Sequence, residues 1–472
     1  MTDIDYKKAL LRGLGCSSQD YHLLDAVAGS EEFVAFLKKH QNEPLTYAMT
    51  DDFTNVRDKT FGANFHIHTT NSDGIMTVSQ LLNLAAAYGD SLNALDKDKK
   101  FYLAITDHNT TNGTIEALKL IADNPKKYRN IRVVLGVEAS AMFTSLSADT
   151  TSEVHLLSYG LNPFEDTITK INERRLKIFQ YGIKNALNNA NVRYIDTISR
   201  YGFEFNFEDM AKIRPSIQTC PSNVRYSLKD YLQFRLIFAD RVENNSALKC
   251  WLLHNGVDLQ KLDFAVPKDM ITTGTYRPYW RNYVYTLQKY LQDKVTAHNR
   301  YASLSEFDEL FGHVGEQTEH VLNAMEDDAL NPHSDMYIRE PKPLSFEEVT
   351  NSFAQSEFAV SGVAHGALYE QKNPKRKLFL QELYKNFKEK LAGKDVIGEK
   401  HYPYPPEVDY KTADGLIQLY QYVPSGGLDS HKNNFFTPQT SYERDFLMGL
   451  VGTTTERQGQ RRLYSTDRTE VG

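Results

Sequence analysis

Residues 66–74 read HIHTTNSDG and close a short predicted strand. Because side chains alternate along a strand, His66 and His68 point to the same face. Two imidazoles on one face at a strand end can chelate one metal ion, and Asp73 follows in a turn from which its carboxylate can reach back. An isolated HxH is more often ordinary packing than a ligand pair, but HxH followed by SDG at this spacing indicates a metal site.

A second polar cluster ends the next predicted strand, where residues 104–109 read AITDHN. Polar residues at the carboxyl end of a strand in an α/β sheet are where ligand sites form. We therefore expect His108 to be a metal ligand. We expect Asp107 or Asn109 instead to cap the helix that follows.

Two ionisable residues lie in apolar strand sequences. Glu138 ends a predicted strand in VLGVEAS, residues 134–140, and a carboxylate there is costly to bury unless it is paired or metal-bound. His155 lies inside the apolar strand EVHLLSYG, residues 153–160. Taken alone, His155 is better explained as a core histidine. It becomes a candidate ligand only when it is considered together with the other clusters.

The last cluster is split between two segments. His365 ends an apolar strand in AVSGVAHGALY, residues 359–369. Asp429 and His431 stand two apart in PSGGLDSHKN and share one face in extended chain. Imidazole suits zinc, iron and similar ions, and the nine ligands are too many for one ion and enough for two or three. The candidate metal ligands are His66, His68, Asp73, His108, Glu138, His155, His365, Asp429 and His431.

The 472 residues divide by sequence pattern into five segments. Strands alternate with helices in two of them, which is typical of β/α units around a parallel sheet or barrel. The long segment between these two is mainly helical, and its aromatics at helical spacing (Tyr231, Phe234, Phe238) fit core stripes better than a base-stacking platform. The segments are a helical N-terminal extension (1–60), the first β/α part (61–165), a helical insertion (166–344), the second β/α part (345–436) and a polar C-terminal tail (437–472).

Composition and motifs argue against several classes of protein. The formal charge of −7, from 54 basic and 61 acidic residues, is unlike that of a generally basic nucleic-acid coat. No apolar run reaches the ~20 residues of a membrane helix, and the first residues lack a signal-peptide stretch, so we expect a cytoplasmic protein without membrane partners. Cys16, Cys220 and Cys250 are far apart, which favours free thiols over disulfides or a CxxC zinc site. No GxSxG, P-loop or HExxH motif supports a rival chemistry.

With these motifs in place, the sequence resembles the PHP (polymerase and histidinol phosphatase) family of metal-dependent phosphoesterases. The matching motifs are HxHTxxSDG, TDHN, GVE, the HLL strand, AH and GxDxH, over roughly residues 61–165 and 345–436. Two departures are Gly366, where the family has proline after AH, and Leu428, where it has serine before the aspartate. Neither departure removes a ligand.

The resemblance implies an α/β fold, a distorted (β/α)7 barrel carrying a large, mainly helical insertion. It implies a trinuclear site with two or three divalent ions, manganese, zinc or iron, with magnesium as a further possibility. One ion would be held by His66, His68, Glu138 and Asp429, a second by Glu138, His155 and His365, and the third by Asp73, His108 and His431.

The insertion points to one branch of the family, which is similar to nucleoside 3′,5′-bisphosphate phosphatases and short-RNA 5′ exonucleases. In that branch an arginine-containing helix follows the HLL strand, and residues 172–187 look similar here. Arg174 or Arg175 is expected to clamp a substrate phosphate, and a solvated helix face is an equal alternative. Arg214 is a weaker candidate, and the run 375–377 (KRK) is expected to be solvated surface.

The activity implied is hydrolysis of a phosphomonoester by a metal-activated hydroxide, on a small phosphorylated metabolite or a nucleotide. Two alternatives stay open. One is an exonuclease or phosphodiesterase acting on short oligonucleotides, which the acidic net charge disfavours. The other is a non-catalytic binding protein that keeps the barrel as a scaffold, for which lost ligands would be expected and none is lost.

Overall fold

The computed structural model divides the chain into two compact units. The barrel unit comprises Met1–Asn172 and Lys342–Gly472, and the helical unit comprises Glu173–Pro341. The residues described are 2–41, 63–74, 76–213, 215–219, 224–262, 280–339, 344–369, 375–402 and 408–431. The predicted polar tail, 437–472, lies outside the described residues, as do parts of the predicted N-terminal extension.

The barrel unit is built on one sheet, in which the described residues form nine strands. The main order is β2-β3-β4-β5-β7-β8-β9, and the short strands β1 and β6 both pair with β4. Neighbouring strands are parallel except on the two sides of β5, which runs antiparallel to β4 and β7. The strands are β1 (Val27–Ala28), β2 (Ala63–Asn64), β3 (Phe101–Ile105), β4 (Ile131–Ser145), β5 (Thr150–Tyr159), β6 (Leu344–Ser345), β7 (Val360–Val363), β8 (Val396–His401) and β9 (Val423–Gly426).

Hydrogen bonds between the first and last strands bring the sheet close to a barrel. The amide of Phe65 donates to the carbonyl of Gly426 at 3.1 Å, and Ile67 forms a parallel bridge with Ser430. The chain thus has a mixed α/β architecture with a nearly closed, barrel-like sheet. The (β/α)7 arrangement itself stays a prediction.

Helices follow the strands, and local capping explains where several begin. Thr77 caps α3 (Val78–Leu95) and Ser345 caps α13 (Phe346–Gln355), each through a capping box with the residue three positions on. The helices of the barrel unit are α1 (Asp3–Gly13), α2 (Ser30–Lys39), α3 (Val78–Leu95), α4 (Asn112–Asp123), α13 (Phe346–Gln355), α14 (Arg376–Lys390) and α15 (Lys411–Leu419), and α5 (Thr167–Arg193) crosses the boundary between the units.

The sheet buries apolar residues that alternate along its strands. Phe65, Val134, Leu157 and Ile397 belong to one buried cluster, which also takes in Phe33 and Leu37 of α2. The ring of Phe33 lies 4.8 Å from that of Phe65. Part of the segment predicted as an N-terminal extension therefore belongs to the core of the barrel unit.

The helical unit has its own core around α8 (Val224–Phe238). Tyr231, Phe234 and Phe238 are all buried in this core, as expected for core stripes. A π-helical turn over Ala239–Glu243 continues α8. The other helices of the unit are α6 (Ile195–Tyr201), α7 (Phe207–Ile213), α9 (Ser246–His254), α10 (Trp280–His298), α11 (Leu304–Phe311) and α12 (Glu316–Leu330).

Two expectations from composition can be compared with the described part of the chain. None of its helices combines the length and apolar character that a bilayer-spanning segment requires. Cys16 and Cys250 are exposed free thiols, and Cys220 lies outside the described residues.

Replacement of Gly427 tests how tightly the sheet closes. A Cβ at this position would lie 2.3 Å from Cβ of His66 and 2.4 Å from Oε1 of Glu399, so Gly427→Ala is expected to destabilise the fold by about 1–3 kcal/mol. The matched control is Gly415→Ala in α15. Apart from its own helix, no atom of the described residues lies within 4 Å of a Cβ built there, so removal of a helical glycine should stabilise by about 0.5–1 kcal/mol. Urea denaturation measures both. Equal stabilities for the two variants would contradict the close packing of Gly427 against His66 and Glu399, where the last strand of the sheet meets the first.

Candidate metal centre

The structure brings all nine predicted ligand side chains together in the barrel unit. Three overlapping groups of histidine and carboxylate side chains are close enough to hold metal ions, and together they include eight of the nine. The ninth, His365, joins through its Nε2, which lies 3.2 Å from Oε1 of Glu138. Six separate stretches of chain supply these residues.

The HIH segment continues from β2 in extended conformation. The amide of His68 donates to the carbonyl of Ser430 at 2.9 Å, and the amide of Ser430 donates to the carbonyl of His66 at 3.1 Å. These bonds to the chain after β9 leave the two imidazoles on one face, as their spacing predicts. Both side chains are fully buried.

Glu138 does not end its strand as predicted, because β4 continues through it to Ser145. The strand can continue because β5 pairs along it in antiparallel register, with Glu138 opposite Leu157 and Ser140 opposite His155. Cross-strand pairs share a face, so the imidazole of His155 and the carboxylate of Glu138 lie on the same side of the sheet.

The carboxylate of Glu138 is completely buried and lies among five imidazoles. Its Oε2 atom is 3.1 Å from Nε2 of His66, 3.2 Å from Nε2 of His68 and 3.2 Å from Nδ1 of His108. Its Oε1 atom is 3.0 Å from Nδ1 of His155 and 3.2 Å from Nε2 of His365. The two oxygens thus face two different sets of nitrogen atoms.

The geometric groups agree in part with the grouping implied by the resemblance. One is the expected set of His66, His68, Glu138 and Asp429, and another contains the expected Asp73, His108 and His431 together with His68. The third combines Glu138 and His155 with His108, where His365 was expected. Nε2 of His68 lies 3.0 Å from Oδ1 of Asp429, which favours its place in the first group.

Unsatisfied polar atoms indicate that the cluster fits metal ions. In the described part of the chain, eight buried atoms of these residues make no hydrogen bond, and such groups are costly unless something else binds them. Ligand atoms held by one ion at about 2.0–2.2 Å lie roughly 3.0–3.5 Å apart, which is the spacing found around Glu138. The eight atoms are Nε2 of His66, His68 and His431, Nδ1 of His108 and His365, Oδ1 of Asp73 and Asp429, and Oε2 of Glu138.

Unusual backbone conformations concentrate at the cluster. Among the described residues, five non-glycine residues have positive φ, and three of these lie here: Asn109 at 54°, His365 at 24° and Asp429 at 50°. Such conformations cost about 1–3 kcal/mol each and persist where the surrounding structure holds them in place. Their concentration at this cluster is typical of a functional site.

The expectation that Asp107 or Asn109 caps a helix is wrong. Helix α4 begins after Thr111 without a side-chain cap. Asp107 is buried and instead accepts hydrogen bonds from the amide and hydroxyl of Thr69 and the hydroxyl of Ser72, so it fixes the turn that follows His68. The backbone amide of Asn109 donates to the carbonyl of Glu138 at 2.7 Å, which joins the segment after β3 to β4.

The expectation that residues 375–377 form solvated surface is wrong for Arg376. Its side chain is buried, and its guanidinium donates to the carbonyls of Ala367, Tyr369 and Asp409. Arg376 therefore holds the loop that follows His365. That loop contains Gly366, which stands where the resembling family has proline. A side chain does not fit there, because a Cβ would lie 2.3 Å from the hydroxyl of Tyr384.

Two functional candidates were not identified from the sequence. Glu399, in β8, contacts Nδ1 of His66 at 3.1 Å, and the hydroxyl of Tyr402 donates to Oδ2 of Asp429 at 3.2 Å. A signal for Glu399 was present, since this carboxylate directly follows VIG, as Glu138 directly follows VLGV. No local pattern singles out Tyr402.

The arginines predicted to bind substrate are not part of the cluster of nine side chains. Arg174 is exposed on α5, and Arg175 is half-buried on the same helix. Both belong to the helical unit, whereas Arg214 lies outside the described residues. Their roles in substrate binding stay predictions.

The buried charges shift each other's protonation strongly. Burial alone would lower the pKa of His68, but the carboxylates of Asp429 and Glu138, 3.0 and 3.2 Å from its Nε2, outweigh burial and raise the pKa to about 10. The pKa of His155 is raised to about 10 against burial, chiefly by Glu138. Burial lowers the pKa of His108 to about 4, so this imidazole is already neutral at pH 7. Burial would raise the pKa of Glu138, yet His66, His108 and His155 hold it well below its usual range.

Comparisons with known proteins add little to this geometry. No family model and no curated protein matches the chain. Among solved structures, a candidate metal-dependent phosphoesterase from Bifidobacterium adolescentis is similar at 17% identity and a TM-score of 0.37, over 80% of this chain and 89% of that one. A similarity this distant supports no argument, so the functional case rests on the cluster itself.

Metal uptake is expected to release protons. His68 and His155 carry protons below a pKa of about 10 in the metal-free protein, and an ion that binds them must displace these protons. Apparent affinity should therefore rise with pH, about tenfold per unit for each displaced proton, between pH 6.5 and 8. Calorimetric titration in buffers of different ionisation enthalpy measures the number released. Binding without proton release would contradict the raised pKa values.

Proposed function

We propose that this protein is a metal-dependent phosphoesterase that hydrolyses phosphomonoesters of small metabolites or nucleotides at a trinuclear centre. The observation that carries the proposal is the arrangement around Glu138. One buried carboxylate has three imidazoles at one oxygen and two at the other, so it can bridge two ions.

The donor set suits divalent ions that act on phosphate. When bound, such ions lower the pKa of a coordinated water and balance the charge of the phosphoryl oxygens. Three of the nine proposed ligands are carboxylates, Asp73, Glu138 and Asp429, and the other six are imidazoles. Three divalent ions would carry more positive charge than these carboxylates neutralise, and the surplus favours a dianionic substrate group.

The nine residues can be assigned to three ions. We assign the first ion to His66, His68, Glu138 and Asp429, whose ligand atoms lie 3.0–3.4 Å apart in the contacts named. We assign the second ion to His155 and His365 together with Oε1 of Glu138, so Glu138 would serve both ions.

Asp73, His108 and His431 complete the proposed third position. Nε2 of His431 lies 3.1 Å from Oδ1 of Asp73, and Nε2 of His108 lies 3.7 Å from Oδ2 of the same carboxylate. Asp73 is the most exposed of the three carboxylates, with 36% of its side chain accessible, whereas Glu138 is fully buried. The third position is therefore the one we expect substrate and solvent to reach most directly.

The variant His68→Ala tests the proposal. His68 contacts Glu138 and Asp429 and lies between two of the geometric groups, so its loss should remove at least one ion and lower p-nitrophenyl phosphate turnover by 100-fold or more, about 3 kcal/mol in activation free energy. Metal content by mass spectrometry and turnover with added manganese, zinc, iron or magnesium are measured together. His320→Ala, at an exposed position of the helical unit, is the matched control.

Unchanged metal content and turnover in His68→Ala would reject the proposal. A wild-type protein that binds no ion would instead favour the non-catalytic scaffold. Stepwise shortening of 5′-phosphorylated short RNA, in place of dephosphorylation of single nucleotides, would show the exonuclease alternative.

A further inference from the structure

We propose that Glu399 is a positioning residue that holds histidine ligands on both sides of Glu138 in their ligating orientation. This inference rests on the proposed metal centre and adds a residue to it. Glu399 lies in β8, next to β7, which leads to His365, and next to β9, which leads to Asp429. Only 2% of its surface is exposed.

The two oxygens of Glu399 have separate tasks. Oε1 lies 3.1 Å from Nδ1 of His66, and Oε2 accepts a hydrogen bond of 2.7 Å from the backbone amide of His365. His66 belongs to the set of imidazoles at Oε2 of Glu138, whereas His365 belongs to the set at Oε1. One carboxylate therefore contacts ligands that we assign to two different ions.

The contact with His66 selects the tautomer that ligation needs. A neutral imidazole has one N–H group, and its other nitrogen carries the lone pair that binds a metal. When Nδ1 donates its hydrogen to Glu399, Nε2 keeps the lone pair. Nε2 lies 3.1 Å from Oε2 of Glu138 and 3.4 Å from Oδ1 of Asp429, so an ion bound by these oxygens would also meet that lone pair. Carboxylates behind metal-binding histidines act in this way in many metal sites.

The contact with His365 holds a strained backbone. His365 has φ of 24°, which is unfavourable for a residue with a side chain. Its amide would be a buried donor without Glu399, and the hydrogen bond offsets that cost. The conformation that it stabilises places Nε2 of His365 3.2 Å from Glu138.

The seam of the barrel leaves room for this carboxylate. A Cβ on Gly427 would lie 2.4 Å from Oε1 of Glu399, so the position after β9 must be glycine for the carboxylate to reach His66. Glu153 offers a comparison, because its Oε1 lies 3.6 Å from Nε2 of His155, but about half of its side chain is exposed. A contact that is longer and more exposed constrains its histidine less.

Glu399→Gln separates these tasks, because a glutamine side chain has one acceptor oxygen for two donors. Its amide group would face either the ring N–H of His66 or the amide of His365. We expect ion affinity to fall about 10–100-fold, measured for zinc or manganese by competition with a chelator of known affinity. The affinity should fall for the two ions assigned to His66 and His365. The affinity for the ion at Asp73, His108 and His431 should be unchanged.

The matched control is Glu389→Gln on α14, because its side chain is 63% exposed and pairs with Lys385. It should bind ions as the wild type does. Thermal melting of the metal-free proteins shows whether each variant folds, so that a loss of affinity with an unchanged melting temperature points to ligand positioning. Turnover is measured on the same samples.

A second measurement needs no folded variant of Glu399. In zinc-loaded wild-type protein with ¹⁵N-labelled histidine, the ring of His66, assigned with His66→Gln, should carry its hydrogen on Nδ1. A ring hydrogen on Nε2, or equal ion affinity in Glu399→Gln and wild type, would overturn the positioning role and leave the phosphoesterase proposal standing. A wild-type protein that binds no ion would overturn both.

Discussion

The burial of the Glu138 carboxylate is the constraint on which the rest of the site depends. A charge with no access to water costs several kcal/mol unless its surroundings compensate. Here five imidazoles surround it, and the pKa of Glu138 is held well below its usual range by His66, His108 and His155 despite burial. Because those imidazoles arrive on four different segments, the charge is compensated only when the sheet is assembled around it.

The sheet achieves this by simple means. Parallel neighbours bring the ends of β2, β3 and β9 together, and the single antiparallel strand, β5, adds His155 through its pairing with β4. Apolar residues fill the layer beneath, where Phe33 of α2 packs against Phe65, one residue before the first ligand. The site is therefore supported from below by the same cluster that stabilises the barrel unit.

Much of the site could be predicted because its signals are local. The alternation of His66 and His68 depends only on strand geometry, as does the spacing of Asp429 and His431. Polar residues after apolar strands marked His108 and His365. The errors came from interactions between distant segments. The length of β4 depends on its pairing with β5, and the burial of Arg376 depends on carbonyl groups that the sequence pattern does not reveal.

Partners across the sheet were hardest to predict. Glu399 stands 333 residues from His66, so its role appears only when β8 and β9 are seen beside β2. The assignment of His108 and His365 to groups likewise depends on which oxygen of Glu138 each imidazole faces. Distances of this kind are set by tertiary packing and not by spacing along the chain.

The separation of the ligands along the polypeptide has a consequence for biosynthesis. His155 and His365 are 210 residues apart, and Asp429 and His431 are translated later still. A nascent chain on the ribosome therefore exposes several imidazoles long before the carboxylate of Asp429 exists to complete the first group. If the proposed ions bind, correct metallation would wait until the second half of the barrel unit has emerged, and a product truncated before Asp429 would lack part of the proposed ligand set.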